Sequence, residues 1–370
     1  MRFFRIHKKS TKSKARLGTI HTPHGEISTP SFVPVATKGT LKSIPPRELK
    51  SLGVQVAFVN TFHLAVHPGV DVVQKFGGIH EYSKMDIPLM SDSAGFQVFS
   101  LGRVIKTREG DEAKLLKITD RGVKFRSPRG GKELNFTPES SIKSQEKIGA
   151  DLIMAFDECI PYGVDYEYTK EATDRTHQWL LRCIKARKRR DQYLYGIVQG
   201  GVYKDLREES AQFVAKQHVD GIAIGGVSVG ETKKEMRDQV KWVTPFLPED
   251  LPKHLLGIGR VDDILDLVRE GMDTFDCVEP TRIARNGLVY VQKGKKVERV
   301  DVTKTSYKTK KIPIEKDCPC YACQNFSLSF IHHLFKEREL LGYYLASAHN
   351  TMFFTRLFQY IREEIKQGNM

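Results

Sequence analysis

Three aspartates, Asp92, Asp157 and Asp276, each stand at or near the end of a short apolar run, and Cys318, Cys320, Cys323 and His349 lie toward the C-terminus. Two carboxylates on opposite sides of a sugar ring are what a double displacement at an anomeric carbon requires, one attacking while the other moves the proton. Taken singly, each aspartate reads equally as a cap for the helix that follows it. The C-x-C-x2-C thiols plus one imidazole make the tetrahedral set that zinc accepts in a closed structural site, and Pro319 stiffens the turn. His332 and His333 are alternative nitrogen donors. Nothing points to an open coordination position, so the ion belongs to folding and not to chemistry. Cys159, Cys183 and Cys277 are isolated and read as packed side chains.

The elements that must position these groups follow one pattern. Residues 17–44 carry extended pieces broken by Pro23, Gly25, Pro30 and Pro34, an opening hairpin leading into a strand near 31–35. Apolar runs then recur at 54–59, 87–90, 152–156, 194–198, 222–224, 255–259 and 274–275, each ending in polar or glycine residues and most followed by a helical stretch. With the strand near Val35 this makes eight, the number that closes a parallel (β/α)8 barrel, an α/β fold whose site gathers at the strand C-termini. An open doubly wound sheet is the competing architecture. Residues 102–135 are charged and glycine-rich and read as an insertion with short strands. The expected organisation is a barrel with insertions over 1–290, then a basic segment and a zinc-binding helical subdomain over 291–370, packed on the barrel. Its helical tail spans 330–367, with Leu334, Phe335, Leu340, Leu341, Tyr344 and Leu345 at helix-compatible spacing.

Composition narrows the partners. Among 370 residues, 59 Lys plus Arg against 45 Asp plus Glu give a formal charge of +14, which favours a polyanionic partner. Nine of those cations lie between Lys293 and Lys316 against three acidic residues, a basic stretch that also reads as a solvated loop. There is no apolar run of about 18 residues, nor an N-terminal apolar segment suited to export, so a cytoplasmic protein without membrane spans is expected. In a reducing compartment the six cysteines are thiols or metal ligands before they are disulfides.

Six segments, in order, resemble the tRNA-guanine transglycosylase family of bacterial type. They are 91–100 (with Asp92, Ser93, Ala94, Gly95 and Phe96), 156–159, 196–201, 225–231, 276–282 and the cysteine cluster, and the likeness runs from about Leu17 to about Arg362. It implies a zinc-bearing (β/α)8 barrel, one structural ion per subunit, acting as a homodimer on the anticodon arm of tRNA in queuosine modification. The wobble guanine is exchanged for a 7-deazaguanine without breaking the RNA backbone. By that resemblance Asp276 is the nucleophile on ribose C1′ and Asp92 the general acid and base. Asp157, Gln199, Gly226 and Val227 read the base, Ser93, Phe96, Leu256 and Gly257 complete its pocket, and Arg282 and Arg285 hold neighbouring nucleotides. Cys318, Cys320, Cys323 and His349 bind the zinc.

These roles are chemically coherent. A deazaguanine presents a donor-rich edge that Asp157 can accept, and Gln199 can meet its carbonyl. A looped single strand lets the target base leave its stack. The incoming base is expected to be 7-aminomethyl-7-deazaguanine, with queuine as the alternative. A barrel glycoside hydrolase and a noncatalytic tRNA-binding subunit are the remaining readings. The chain departs from the family's usual pattern at Ala94, where glycine is common, at Leu256, where methionine is common, and at Glu279, where an apolar residue is common.

Overall fold

The computed structural model describes residues 2–95, 105–106, 112–113, 116–126, 133–294 and 296–370. Eight strands form one parallel sheet: Ser31–Pro34 (β1), Ala57–Val59 (β2), Leu89–Ser91 (β3), Leu152–Met154 (β4), Tyr193–Val198 (β5), Gly221–Ile224 (β6), Lys253–Leu255 (β7) and Thr274–Cys277 (β8). Their spatial order is β1-β8-β7-β6-β5-β4-β3-β2. A parallel bridge between Val35 and Phe58 brings the two ends together, so the sheet closes as the expected barrel and not as an open sheet.

Strand periodicity sorts the side chains. On β4, Leu152 and Met154 face an interior shared with Val33, Phe58, Met90, Tyr195, Ile197 and Ala223. Ile153 between them packs outward with Trp179, Leu180, Val214, Val240 and Leu267. Helices Tyr166–Ala186, Lys204–Ala215, Lys233–Val243 and Val261–Arg269 follow β4, β5, β6 and β7. Their starts are defined locally: Asp165 accepts the Tyr168 N–H, and Thr232 with Glu235 forms a reciprocal capping box. The 255–259 run is where sequence and structure differ most. Its strand begins at Lys253, because Lys253 and His254 are buried although polar: the Lys253 backbone N–H donates to Asp273 at 2.7 Å and His254 Nδ1 lies 2.9 Å from Thr274 Oγ1.

The expected N-terminal hairpin is the latter part of a three-stranded antiparallel sheet, Phe4–Lys9, Arg16–Thr22 and Gly25–Thr29. This sheet seats on the strand starts. Arg16 forms a two-pronged pair with Asp273, just before β8, at 2.9 and 2.6 Å. Phe3 stacks on Tyr193, the first residue of β5, at 3.8 Å. Among the described residues of the insertion, Leu116–Thr119, Gly122–Arg126 and Glu133–Phe136 form an antiparallel meander and Ile105–Lys106 pairs with Glu112–Ala113, short strands as expected.

The C-terminal part departs from the expected single tail. Leu328–Lys336 and Leu340–Gln367 are separate helices, with Arg338 between them at a φ of 58°. Leu340 is 79 % exposed and Leu341 40 %, so these two leucines do not belong to a buried face. The basic stretch is not simply a loop, since Lys296–Asp301 pairs with Leu288–Lys293 as a hairpin. The last helix runs back onto the barrel through Phe353, Phe354 and Phe358, and Arg362 donates to the Pro30 carbonyl at 2.8 Å. Among the described residues no helix is long and apolar enough to cross a membrane.

Asp151, just before β4, ties the closed end together. Its carboxylate accepts the Leu89 N–H at 2.9 Å and meets His24 Nδ1 at 2.7 Å, with His80 Nε2 at 3.3 Å. Burial opposes its ionisation, yet the close approach of His80 and the bonds from His24 and Leu89 outweigh that and hold its pKa below the usual value. A carboxylate with a depressed native pKa contributes stability above its unfolded value, and that stability is lost as pH falls through the native one. Asp151→Asn puts an NH2 among these donors and should cost about 1–3 kcal/mol in urea unfolding at neutral pH, with a shallower acid limb; unchanged stability would contradict this role.

Candidate active site

The strand C-termini open into one cavity of about 860 Å3, lined among others by Asp92, Ser93, Asp157, Gln199, Gly226, Val227, Leu256, Gly257, Asp276 and Arg282. Every expected base-contacting position in the described residues is on this lining; Phe96 lies outside the described residues. The three aspartates, 184 residues apart at the extremes, come together because β3, β4 and β8 all point their ends the same way.

Asp92 follows β3. Its Oδ1 accepts the N–H of Thr61 at 2.7 Å and of Ala94 at 3.2 Å, and Asn60 Nδ2 donates to Oδ2. It thus also steadies the start of helix Thr61–Val66, so the capping and chemical readings meet in one side chain. Ala94 adopts a φ of 76°, a conformation that costs a side-chain-bearing residue about 1–2 kcal/mol. That turn directs its N–H to Asp92. Gly95 has no room for a side chain: a Cβ there would lie 2.5 Å from both the Asp157 carbonyl and its Oδ1.

Asp157 is buried just past β4. Ser93 Oγ donates to Oδ1 at 3.0 Å and Gln199 Nε2 to Oδ2 at 2.8 Å. Burial raises its pKa to about 6, against the lowering effect of the Gln199 and Ser93 bonds and with a further push from Asp92. With its nitrogen engaged, Gln199 presents Oε1, a buried oxygen lacking a hydrogen-bond partner. That nitrogen carries a second hydrogen, which can donate to a ligand carbonyl while the Asp157 bond is kept.

Asp276 lies on β8, and the Gly257 N–H donates to its Oδ1 at 3.0 Å. Arg282 borders the cavity from helix Glu279–Ala284, whereas Arg285, just past that helix, is not part of the lining and donates to the Thr281 carbonyl at 2.7 Å. Arg285 is nevertheless near enough to Lys42 that, after partial burial and Lys38, it contributes to holding that lysine's pKa below its ordinary value. Lys42, Arg285 and the cavity-bordering Arg282 are thus cationic neighbours. Glu279 also borders the cavity and is paired with Arg299 of the hairpin.

Sequence reasoning overlooked three groups. Arg207 is fully buried beneath the loop after β6, donating to the carbonyls of Gly201 at 2.7 Å, Gly225 at 2.7 Å and Gly226 at 2.9 Å and to Gln239 Oε1 at 2.7 Å. Burial lowers its pKa to about 10, with Glu231 opposing. Its signal was an arginine on the face of Lys204–Ala215 that also carries Leu206, Ala211 and Val214. Glu231 accepts the N–H of Val229 at 2.9 Å and of Gly230 at 3.1 Å, and also that of Ser228. His254 touches Asp276 and left no motif.

Cys318, Cys320, Cys323 and His349 are all buried together. His349 Nδ1 is 3.6, 3.6 and 3.3 Å from the three sulfurs. A tetrahedron with zinc-like bond lengths has a nitrogen–sulfur edge of about 3.5 Å, so the set fits such an ion. His349 Nε2 donates to the Tyr290 carbonyl at 2.7 Å, which leaves Nδ1 for the ion. His332 is elsewhere, on the Val302 carbonyl at 2.9 Å. His24, His80 and Asp151 also lie close together, but the two imidazoles stack within 9° of parallel at 3.5 Å. Lone pairs confined to parallel planes do not converge on one ion.

The match of sequence to known proteins spans nearly the whole chain. The family model described as "Queuine tRNA-ribosyltransferase" matches residues 10–370. Relatives named "Queuine tRNA-ribosyltransferase" include one from Herpetosiphon aurantiacus, 47% identical over 96% of this chain and 86% of the relative. Another from Natranaerobius thermophilus is 44% identical over 99% and 95%, and one from Synechococcus elongatus 43% over 98% and 91%. Together with the barrel and the cavity, these matches show that the chain belongs to the queuine tRNA-ribosyltransferase family of transglycosylases.

Proposed function

We propose that this enzyme exchanges the wobble guanine of a tRNA anticodon for 7-aminomethyl-7-deazaguanine by double displacement. The observation that carries the reading is the convergence of Asp92, Asp157 and Asp276 on one cavity. Asp276 attacks ribose C1′ through the oxygen that Gly257 does not hold, and the C1′–N9 pair leaves with guanine, which takes a proton from Asp92. The incoming base then loses a proton to Asp92 as its N9 displaces Asp276. Asp157 and Gln199, with Ser93 and the backbone at Gly226 and Val227, read the base edge; Phe96, Leu256 and Gly257 frame it. Such a pocket rejects bases that leave its buried polar atoms unpaired.

Arg282, Arg285, Lys38 and Lys42 face the tRNA, whose phosphates the net charge of +14 attracts with a steep salt dependence. The cavity continues past Gly226 to Thr232 and Arg260, room that supports queuine as the second reading of the incoming base. The cysteine and histidine cluster holds zinc, which supplies cross-linking of the C-terminal fold. A homodimer in the cytoplasm completes the proposal; exposed Tyr321, Phe330 and Leu340 support a partner surface on the C-terminal part.

Three outcomes test this. Asp276→Ala should lower labelled-guanine exchange by about 10³-fold or more and abolish a covalent tRNA adduct, with tRNA binding retained; a persisting adduct would remove Asp276 from its role. Asp157 accepts the base only when ionised, so guanine affinity measured by calorimetry should fall about tenfold per pH unit below pH 6, and Asp157→Asn should bind weakly without that dependence. A flat profile in the wild type would count against the carboxylate. Cys320→Ala should lose about one equivalent of zinc per chain and melt at lower temperature; an unshifted transition would show that the ion does not support the fold.

A further inference from the structure

His254 reaches the nucleophile from inside the barrel. It lies on β7 directly opposite Thr274 of β8, and Thr274 and Asp276, two residues apart, share the face toward it. The ring is fully buried and stacks at 5.8 Å on Phe58. Its Nδ1 is 2.9 Å from Thr274 Oγ1 and its Nε2 3.2 Å from Asp276 Oδ1. An ionised carboxylate has no proton to give, so Nε2 carries it and Nδ1 is left to accept the Thr274 hydroxyl. With Gly257 N–H also on Oδ1, both donors hold one oxygen and no hydrogen bond from the described residues occupies Oδ2.

We infer that His254 is a positioning residue that orients Asp276 for attack through Oδ2 and favours its release as a free carboxylate in the second displacement. This rests on Asp276 as nucleophile. When Oδ2 bonds to C1′, the C1′–N9 pair departs with the base; Oδ1 becomes an ester carbonyl and its charge is gone. When the incoming N9 displaces the ester, the C1′–Oδ2 pair returns to the carboxylate. A hydrogen bond to the carboxylate is stronger than one to the ester oxygen. Removing it therefore shifts the equilibrium between enzyme plus tRNA and adduct plus guanine toward the adduct, which a loss of folding would not do.

The test measures the adduct fraction at fixed free guanine by denaturing gel, and the rate at which added guanine resolves it. His254→Phe keeps the ring and removes the donor; Thr274→Val, a milder change, removes the group that orients the imidazole; His254→Gln returns an N–H near Nε2. The first should raise the adduct equilibrium constant about tenfold and slow resolution, the second should move both in the same direction, and His254→Gln should restore them. An unchanged or lower equilibrium constant in both His254→Phe and Thr274→Val overturns the inference, as does His254→Gln behaving like His254→Phe. An adduct that survives Asp276→Ala would instead overturn the underlying reading. Loss of the adduct in Asp276→Ala, together with an unchanged equilibrium constant in His254→Phe and Thr274→Val, leaves the reading standing and the inference refuted.

Discussion

Three carboxylates share one cavity, and like charges so close must be held by something other than their own preference. The structure does this with fixed donors. Backbone N–H groups of Thr61 and Ala94 hold Asp92, Ser93 and Gln199 hold Asp157, and Gly257 with His254 holds Asp276. Each donor is itself anchored at a strand end or in a constrained turn, which explains the positive φ at Ala94 and the absent side chain at Gly95. The balance leaves Asp157 with a raised pKa, a group poised to gain from a donor-rich ligand.

Two elements distant from the cavity support that arrangement. The N-terminal sheet seats on the strand starts and ties them through Arg16, Asp273 and Asp151, at the end opposite the cavity. The last helix links barrel and metal cluster: Asn350 bonds the backbone of Tyr290, Pro280 and Leu288, while its neighbour His349 sits among the thiols. Helix Glu279–Ala284, which follows the proposed nucleophile and carries Arg282, is therefore braced from the C-terminal part. An ion held by those thiols and His349 would steady a helix that borders the cavity.

Much of this was legible in the residues. Apolar runs followed by polar strand ends marked the barrel and its mouth, and the thiol spacing with His349 marked the metal set. Residue periodicity failed where packing overrode it. Phe4–Lys9 buries chiefly Phe4 and left no strand pattern, and Leu340 and Leu341 keep helix spacing while facing solvent. Lys253 and His254 hid the start of β7 because buried polar residues look like loop until their partners are known. Arg207 and Glu231 act on backbone groups, so no side-chain motif announces them. The Gln199 amide turns toward Asp157, a choice decided by hydrogen-bond supply across strands and invisible along one of them.

The central claim is that the three aspartates meet a single nucleotide. The most direct measurement is a crystal structure with an anticodon stem-loop whose target guanosine is carbon-linked, so that its glycosidic bond cannot break. The account expects ribose C1′ about 3–3.5 Å from Asp276 Oδ2, Asp92 beside the base nitrogen, and the base edge on Asp157. A ribose seated away from Asp276, or a base whose edge faces no carboxylate, would contradict it.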